Sequence, residues 1–137
     1  MHVRLIAGTH GGRKITAPDT LRTHPMGERV RNAMFNSLSG ATEGARVLDV
    51  FAGSGAVGLE ALSRGAAHVT FIEKDRIAQN VIAENIALLH EGPRAKLIRT
   101  TAANWLDTTS LGVEFDLIFA DPPYQQPQFS TVARLFR

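Results

Sequence analysis

A chain of 137 residues, 44% hydrophobic and 20% charged, has the size and balance of one globular domain with a real core. It holds no cysteine, which excludes a disulfide framework and a Cys-ligated metal centre. No apolar run reaches the length of a membrane span and the start has no signal-type apolar segment, so the chain reads as cytoplasmic. The net charge of +2 is uneven: residues 1–46 carry seven Lys/Arg against three Asp/Glu, and the remainder eight against ten. A cationic N-terminal stretch on a slightly acidic body points to a polyanionic partner.

In chain order, residues 3–7 and 13–17 read as two short strands, with Gly8, Gly11 and Gly12 between them as a hairpin signal. Arg4, His10, Arg13, Lys14 and Arg22 make this ribbon cationic. A bare two-stranded ribbon is marginal, so it packs on the body or is ordered by a partner. The plainer alternative is a solvated charged hairpin. Pro18 closes the ribbon, and Pro25 precedes a helix predicted over 28–39, with Glu28 where the macrodipole favours an anion. Val30, Ala33, Met34, Ser37 and Leu38 supply its apolar stripe; Phe35 and Asn36 lie off the stripe's centre, and packing is favoured over ligand contact for them. Gly40 ends the helix.

The chain is organised around residues 47–58. Val47, Leu48, Val50 and Phe51, interrupted by Asp49, read as a strand buried on both faces. Ala52-Gly53-Ser54-Gly55 then turns, and from Ala56 the apolar spacing becomes helical. Strand, glycine turn and helix start describe a nucleotide-type binding loop, with helix N–H groups aimed at a ligand and no Cβ to keep it off the main chain. Gly53 to Gly58 also satisfies the dinucleotide pattern, and Glu73 falls twenty residues after Gly53, where an acidic residue holds a ribose. Asp49 favours the other class of ligand: a carboxylate beside the turn repels a pyrophosphate and attracts the ammonium and sulfonium of S-adenosylmethionine.

Residues 69–72 form a second strand ending in Glu73, and Asp75 is placed to cap the next helix. Ile77, Val81, Ile82, Ile86 and Leu89 trace that helix until Gly92-Pro93 stops it. A third strand at 95–99 leads through Thr100, Thr101, Ala102 and Asn104 into a short helix, and residues 115–120 make a fourth strand. The alternation predicts an α/β fold with a doubly wound, mostly parallel sheet and an N-terminal β-hairpin. Ligands in such sheets bind beyond the carboxyl ends of the strands, where Asp49, Glu73 and Asp121 would converge. A last helix carrying Phe129, Val132, Ala133 and Phe136 follows. It leaves the fourth strand near an uncovered edge that invites self-association.

Asp121-Pro122-Pro123-Tyr124 is the second chemical signature. The prolines end the strand and fix φ while their carbonyls remain acceptors. An exocyclic amine of a nucleobase is a poor nucleophile because its lone pair is delocalised. An Asp121 oxygen and the Pro122 carbonyl can hold its two hydrogens, and Tyr124 offers a stacking face worth about 1–3 kcal/mol. Alignment then does the catalytic work, with no metal needed. The structural alternative is a strand stop with Tyr124 packed inward.

Residues 47–55, Glu73-Lys74-Asp75 and Asp121 to Tyr124 resemble the class I SAM-dependent methyltransferases acting on amino groups. With Gly12-Arg13-Lys14, residues 29–36 and 58–66, the chain is similar to the RsmD-type 16S rRNA guanine-N2 methyltransferases over nearly its whole length. The resemblance implies a Rossmann-like core over 41–137, with its last strands missing relative to the family, and an RNA-binding arm over 1–40 that forms one compact unit with it. It implies that Asp49, Phe51, Ala52, Gly53, Ser54, Gly55, Glu73, Lys74, Thr101 and Ala102 surround S-adenosylmethionine, and that Asp121, Pro122, Pro123 and Tyr124 receive the guanine. It implies that Arg4, His10, Arg13, Lys14, Arg22 and Arg29 grip the 16S rRNA of the 30S subunit. Thr100-Thr101 stands where the family usually has Gly-Asp. A non-catalytic dinucleotide-sensing module and an RNA-binding relative without activity are the alternatives.

Overall fold

The computed structural model describes residues 2–18, 27–38, 40–108 and 114–120. Strand β1 (His2–Arg4) pairs antiparallel with β2 (Lys14–Thr16), His2 opposite Thr16 and Arg4 opposite Lys14. Val3, Leu5 and Ile15 point inward while Arg4 and Lys14 face solvent, as period-two alternation requires. The strands are shorter than 3–7 and 13–17, and a 3-10 turn at Gly8–His10 joins them in place of a tight Gly-Gly turn. A Cβ on Gly8 would fall 1.7 Å from the Ser63 carbonyl oxygen, so this turn is pressed onto the body.

Helix α1 (Glu28–Ser37) is out of phase with its predicted stripe. Arg31 and Phe35 are buried, Met34 and Leu38 partly so, whereas Val30 is 59% exposed and Ala33 and Ser37 face solvent. The physical reason is Arg31: its guanidinium is fully buried because Glu60 and the Arg4 carbonyl accept from it. Phe35 packs against Phe119 at a centroid distance of 5.4 Å, under the Arg64 guanidinium at 5.0 Å, while Asn36 stays exposed.

Strands β3 (Arg46–Val50), β4 (His68–Glu73), β5 (Ala95–Arg99) and β6 (Leu117–Ala120) form a parallel sheet in the order β5-β4-β3-β6. Helices α2 (Ala56–Ser63), α3 (Arg76–Leu88) and α4 (Ala102–Thr108) make the crossovers. Alternation along the strands builds two cores. Val47, Val69 and Phe71 pack with Leu59, Leu62 and Ile82 on one face; Leu48, Val50 and Ile72 pack with Ala102 and Trp105 on the other. The doubly wound expectation holds, and the order reverses between β3 and β6, which places the switch point at β3's carboxyl end. On α3 the buried set is Ala78, Gln79, Val81, Ile82 and Asn85, whereas Ile77, counted on the apolar stripe, is 56% exposed. Among the described residues β6 is an edge strand, no helix is long and apolar enough to cross a membrane, and no group of three His, Cys, Asp or Glu could hold a metal ion.

The arm is fastened to the body by buried polar groups. Glu60 on α2, fully buried, accepts from the main-chain N–H of Ile6 at 2.9 Å and of Ala7 at 3.2 Å. It also accepts from Arg31 Nε at 3.3 Å and Arg64 Nε at 2.8 Å. Ser63 Oγ donates to the Ala7 carbonyl and accepts from the His10 N–H.

Candidate functional site

Because all four sheet strands run the same way, their carboxyl ends share one rim: β3 leads into Phe51, β4 ends at Glu73, β5 leads into Thr100 and β6 ends at Ala120. The loop after β3 departs from ordinary backbone geometry. Phe51 has φ +60°, Gly53 +60° and Gly55 +81°. A bulky residue in the left-handed region persists only where its surroundings impose it, and such positions gather at functional sites. Here the constraint comes from Ala52 N–H donating to the Ile72 carbonyl at 3.1 Å and Gly55 N–H to the Ala52 carbonyl at 2.8 Å. Gly58, third in the glycine pattern, answers a packing demand: a Cβ there would stand 2.3 Å from Phe71 Cε1.

Glu73 closes the loop from the neighbouring strand. Its Oε1 accepts from the Gly53 N–H at 2.7 Å and its Oε2 from the Asp75 N–H at 2.8 Å. Burial pushes its pKa above the usual carboxylate range, against the opposing pull of those two N–H groups. Gln79 Nε2 donates to the Glu73 carbonyl at 2.8 Å and steadies the strand end. Asp75 caps α3 through Oδ2 and the Ala78 N–H at 2.9 Å, as its position foretold.

Asp49 corrects the expected geometry. It lies inside β3 rather than at its end, is buried, and its Oδ2 accepts from the Gly58 N–H at 3.0 Å. Ser54 Oγ accepts from the Ala56 N–H at 3.2 Å, and Leu59 N–H bonds the Gly55 carbonyl at 2.8 Å. The N–H groups of Ala56 and Gly58, expected to aim at a ligand, are therefore satisfied from within the protein. The rim thus gathers two buried carboxylates, Asp49 and Glu73, each accepting from main-chain N–H groups around the glycine turn.

On the far strands, Thr101 Oγ1 caps α4 by accepting from the Asn104 N–H at 3.0 Å, and Asn104 Nδ2 donates to Thr100 Oγ1 at 2.7 Å. Ala102 is buried beneath the rim and Lys74 is exposed on it. Asp121, Pro122, Pro123 and Tyr124 lie outside the described residues, as do Arg22 and the predicted last helix.

The cationic residues of the arm divide into two groups. Arg4 pairs with Glu28 at 2.8 Å, and His10, with a side chain 13% exposed, sits 2.8 Å from Glu91. Arg13 Nη2 donates to the Leu88 carbonyl at 3.3 Å. Lys14 and Arg29 are exposed and make no salt bridge among the described residues. An open cleft of about 440 Å³ between the hairpin and the start of α1 is lined by Arg4, Lys14, Glu28 and Arg31, away from the strand rim.

Sequence reasoning passed over Glu60 and Asn85. The signal was there: Glu60 interrupts the apolar run Leu59 to Leu62, and Asn85 sits between Val81 and Leu89 on the buried stripe of α3.

The family model described as conserved hypothetical protein 95 matches residues 3–137. "Ribosomal RNA small subunit methyltransferase D" of Escherichia coli (strain K12) is 40% identical over 124 residues, 90% of this chain and 61% of the relative. The chain thus spans about three-fifths of the length of that curated relative. The solved structure of yhhF from Escherichia coli is 39% identical with a TM-score of 0.87, over 99% of this chain and 73% of that one. A hypothetical protein of Thermus thermophilus is 32% identical with a TM-score of 0.84, over 98% and 77%. The fold agrees with these likenesses, and the chain belongs to the conserved hypothetical protein 95 family, that of the RsmD-type proteins its motifs resemble.

Proposed function

We propose that the protein transfers a methyl group from S-adenosylmethionine to the exocyclic N2 amine of a guanine in the 16S rRNA of the small ribosomal subunit. The observation that carries this reading is the internal capping of α2. Ser54 and Asp49 occupy the Ala56 and Gly58 N–H groups in the first turn of α2, where a dinucleotide's pyrophosphate would bind, and Asp49 adds a negative charge there. A phosphate-free cationic ligand suits such a rim, and a pyrophosphate does not. The likeness to a relative named as a small-subunit rRNA methyltransferase supports the substrate class.

In this reading Glu73 accepts from the ribose hydroxyls, which ease the cost of burying its charge. The turn from Phe51 to Gly55 lies against the methionine part, Asp49 supplies field to its ammonium, and Lys74, Thr101 and Ala102 flank the adenine. When bound, S-adenosylmethionine supplies a methyl carbon made electrophilic by its sulfonium. The chain continues from Ala120, at the switch point, into Asp121-Pro122-Pro123-Tyr124. Asp121 and the Pro122 carbonyl accept the amine's hydrogens, Pro123 fixes the main chain, and Tyr124 stacks on the base. Residues 1–40 act as the RNA-gripping arm of the 41–137 core, in the cytoplasm.

Small subunits lacking the modification, incubated with methyl-labelled S-adenosylmethionine, should yield labelled N2-methylguanosine after digestion. Label on N6-methyladenosine instead moves the substrate to adenine; RNA binding without label leaves a relative without activity. Titration calorimetry should show S-adenosylmethionine binding that Gly53→Val abolishes. Binding of NADH in its place overturns the reading.

A further inference from the structure

Asn85 is 1% exposed, and nothing in the proposed chemistry uses it. Its Oδ1 accepts from the Thr16 N–H at 3.0 Å, and its Nδ2 donates to the Thr16 carbonyl at 2.8 Å, a two-point grip on the main chain of β2. Nδ2 also donates to the Ser54 carbonyl at 3.1 Å, inside the glycine turn. The partners fix the amide's orientation, since a flipped group would set nitrogen against an N–H and oxygen against two carbonyls. Glu60 also ties the arm to the body, but its partners are Ile6, Ala7, Arg31 and Arg64, none of them in the glycine turn.

We infer that Asn85 is a positioning residue that couples the arm to the cofactor loop, so that RNA on the arm and S-adenosylmethionine in the loop each favour the other's binding. The inference rests on the function proposed above for both sites. If β2 shifts, the buried Asn85 amide loses both of its bonds to Thr16, and a buried amide with unmade bonds is costly. The side chain therefore holds Ser54 in place only while Thr16 is in place, and the converse is equally true. A ligand that orders one anchor shifts the other toward its ordered position, and the effect is reciprocal.

The test is titration with S-adenosylhomocysteine, with and without unmodified 16S rRNA. The wild-type chain should bind the nucleoside about tenfold more tightly when saturated with RNA. Asn85→Ala should bind it equally in both conditions while still binding RNA. A tenfold ratio retained in Asn85→Ala overturns the coupling, as does a wild-type chain indifferent to RNA. Hydrogen exchange on the wild-type chain needs no variant: saturating nucleoside should slow exchange at the Thr16 amide, and an unchanged rate overturns the inference. A chain that binds no nucleoside before RNA is added fails differently, because the cofactor reading then falls and takes the coupling with it.

Discussion

Gly58 and Glu73 are the residues at which sequence pattern and physical cause part company. Gly58 completes a ligand-binding motif, yet its missing Cβ makes room for the Phe71 ring and, at 2.9 Å, Val69 Cγ1. Gly58→Ala should destabilise the fold by about 1–3 kcal/mol through overpacking; a wild-type melting temperature would contradict this. Glu73 has its pKa raised by burial. A carboxyl whose folded pKa exceeds its unfolded value binds its proton more tightly in the native chain. Its contribution is fully favourable below the unfolded pKa, and stability falls as pH rises from there through the folded pKa. Urea unfolding across that window should show this decline in the wild-type chain and a flatter curve in Glu73→Gln. Glu73→Ala should weaken S-adenosylmethionine binding about 10- to 100-fold, the range for lost bonds to a charged acceptor, as titration would show.

At the scale of elements, what could be read in advance depended on how far away the partner lay. The Asp75 cap was legible because its acceptor and the Ala78 N–H are neighbours in the chain. Asp75→Ala should cost about 1 kcal/mol of unfolding free energy, measured by urea titration. The phase of α1 was not legible. Periodicity assigns an arginine to the surface, and acceptors elsewhere in the fold, Glu60 on another helix and the Arg4 carbonyl, turn Arg31 inward. Removing that carboxylate leaves a buried guanidinium without its counter-charge and two main-chain N–H groups without their acceptor, so Glu60→Ala should cost about 3–5 kcal/mol. It should also expose the hairpin to protease before the sheet unfolds. Simultaneous cleavage of both parts would show the arm does not depend on this carboxylate.

For the whole molecule, the arm's charge matters less than which cations remain available to a partner. Arg4 and His10 are engaged by Glu28 and Glu91, whereas Lys14 and Arg29 face solvent. Lys14→Ala and Arg29→Ala should therefore each lower RNA affinity and reduce the salt slope by about 1, leaving S-adenosylmethionine affinity unchanged. His10→Ala should mainly lower stability. Equal loss of RNA binding from all three would mean the internal pairs open on contact with RNA. Alternating apolar runs, glycines and proline stops were enough to determine the strand and helix order, the parallel sheet and the rim where Glu73 stands, since these are local patterns of the chain. Tertiary structure alone decided that Asp49 in β3 accepts from the Gly58 N–H of α2, that Arg31 is buried, and which basic residues stay exposed. Each of those outcomes depends on a donor meeting an acceptor from a part of the fold that local patterning does not encode.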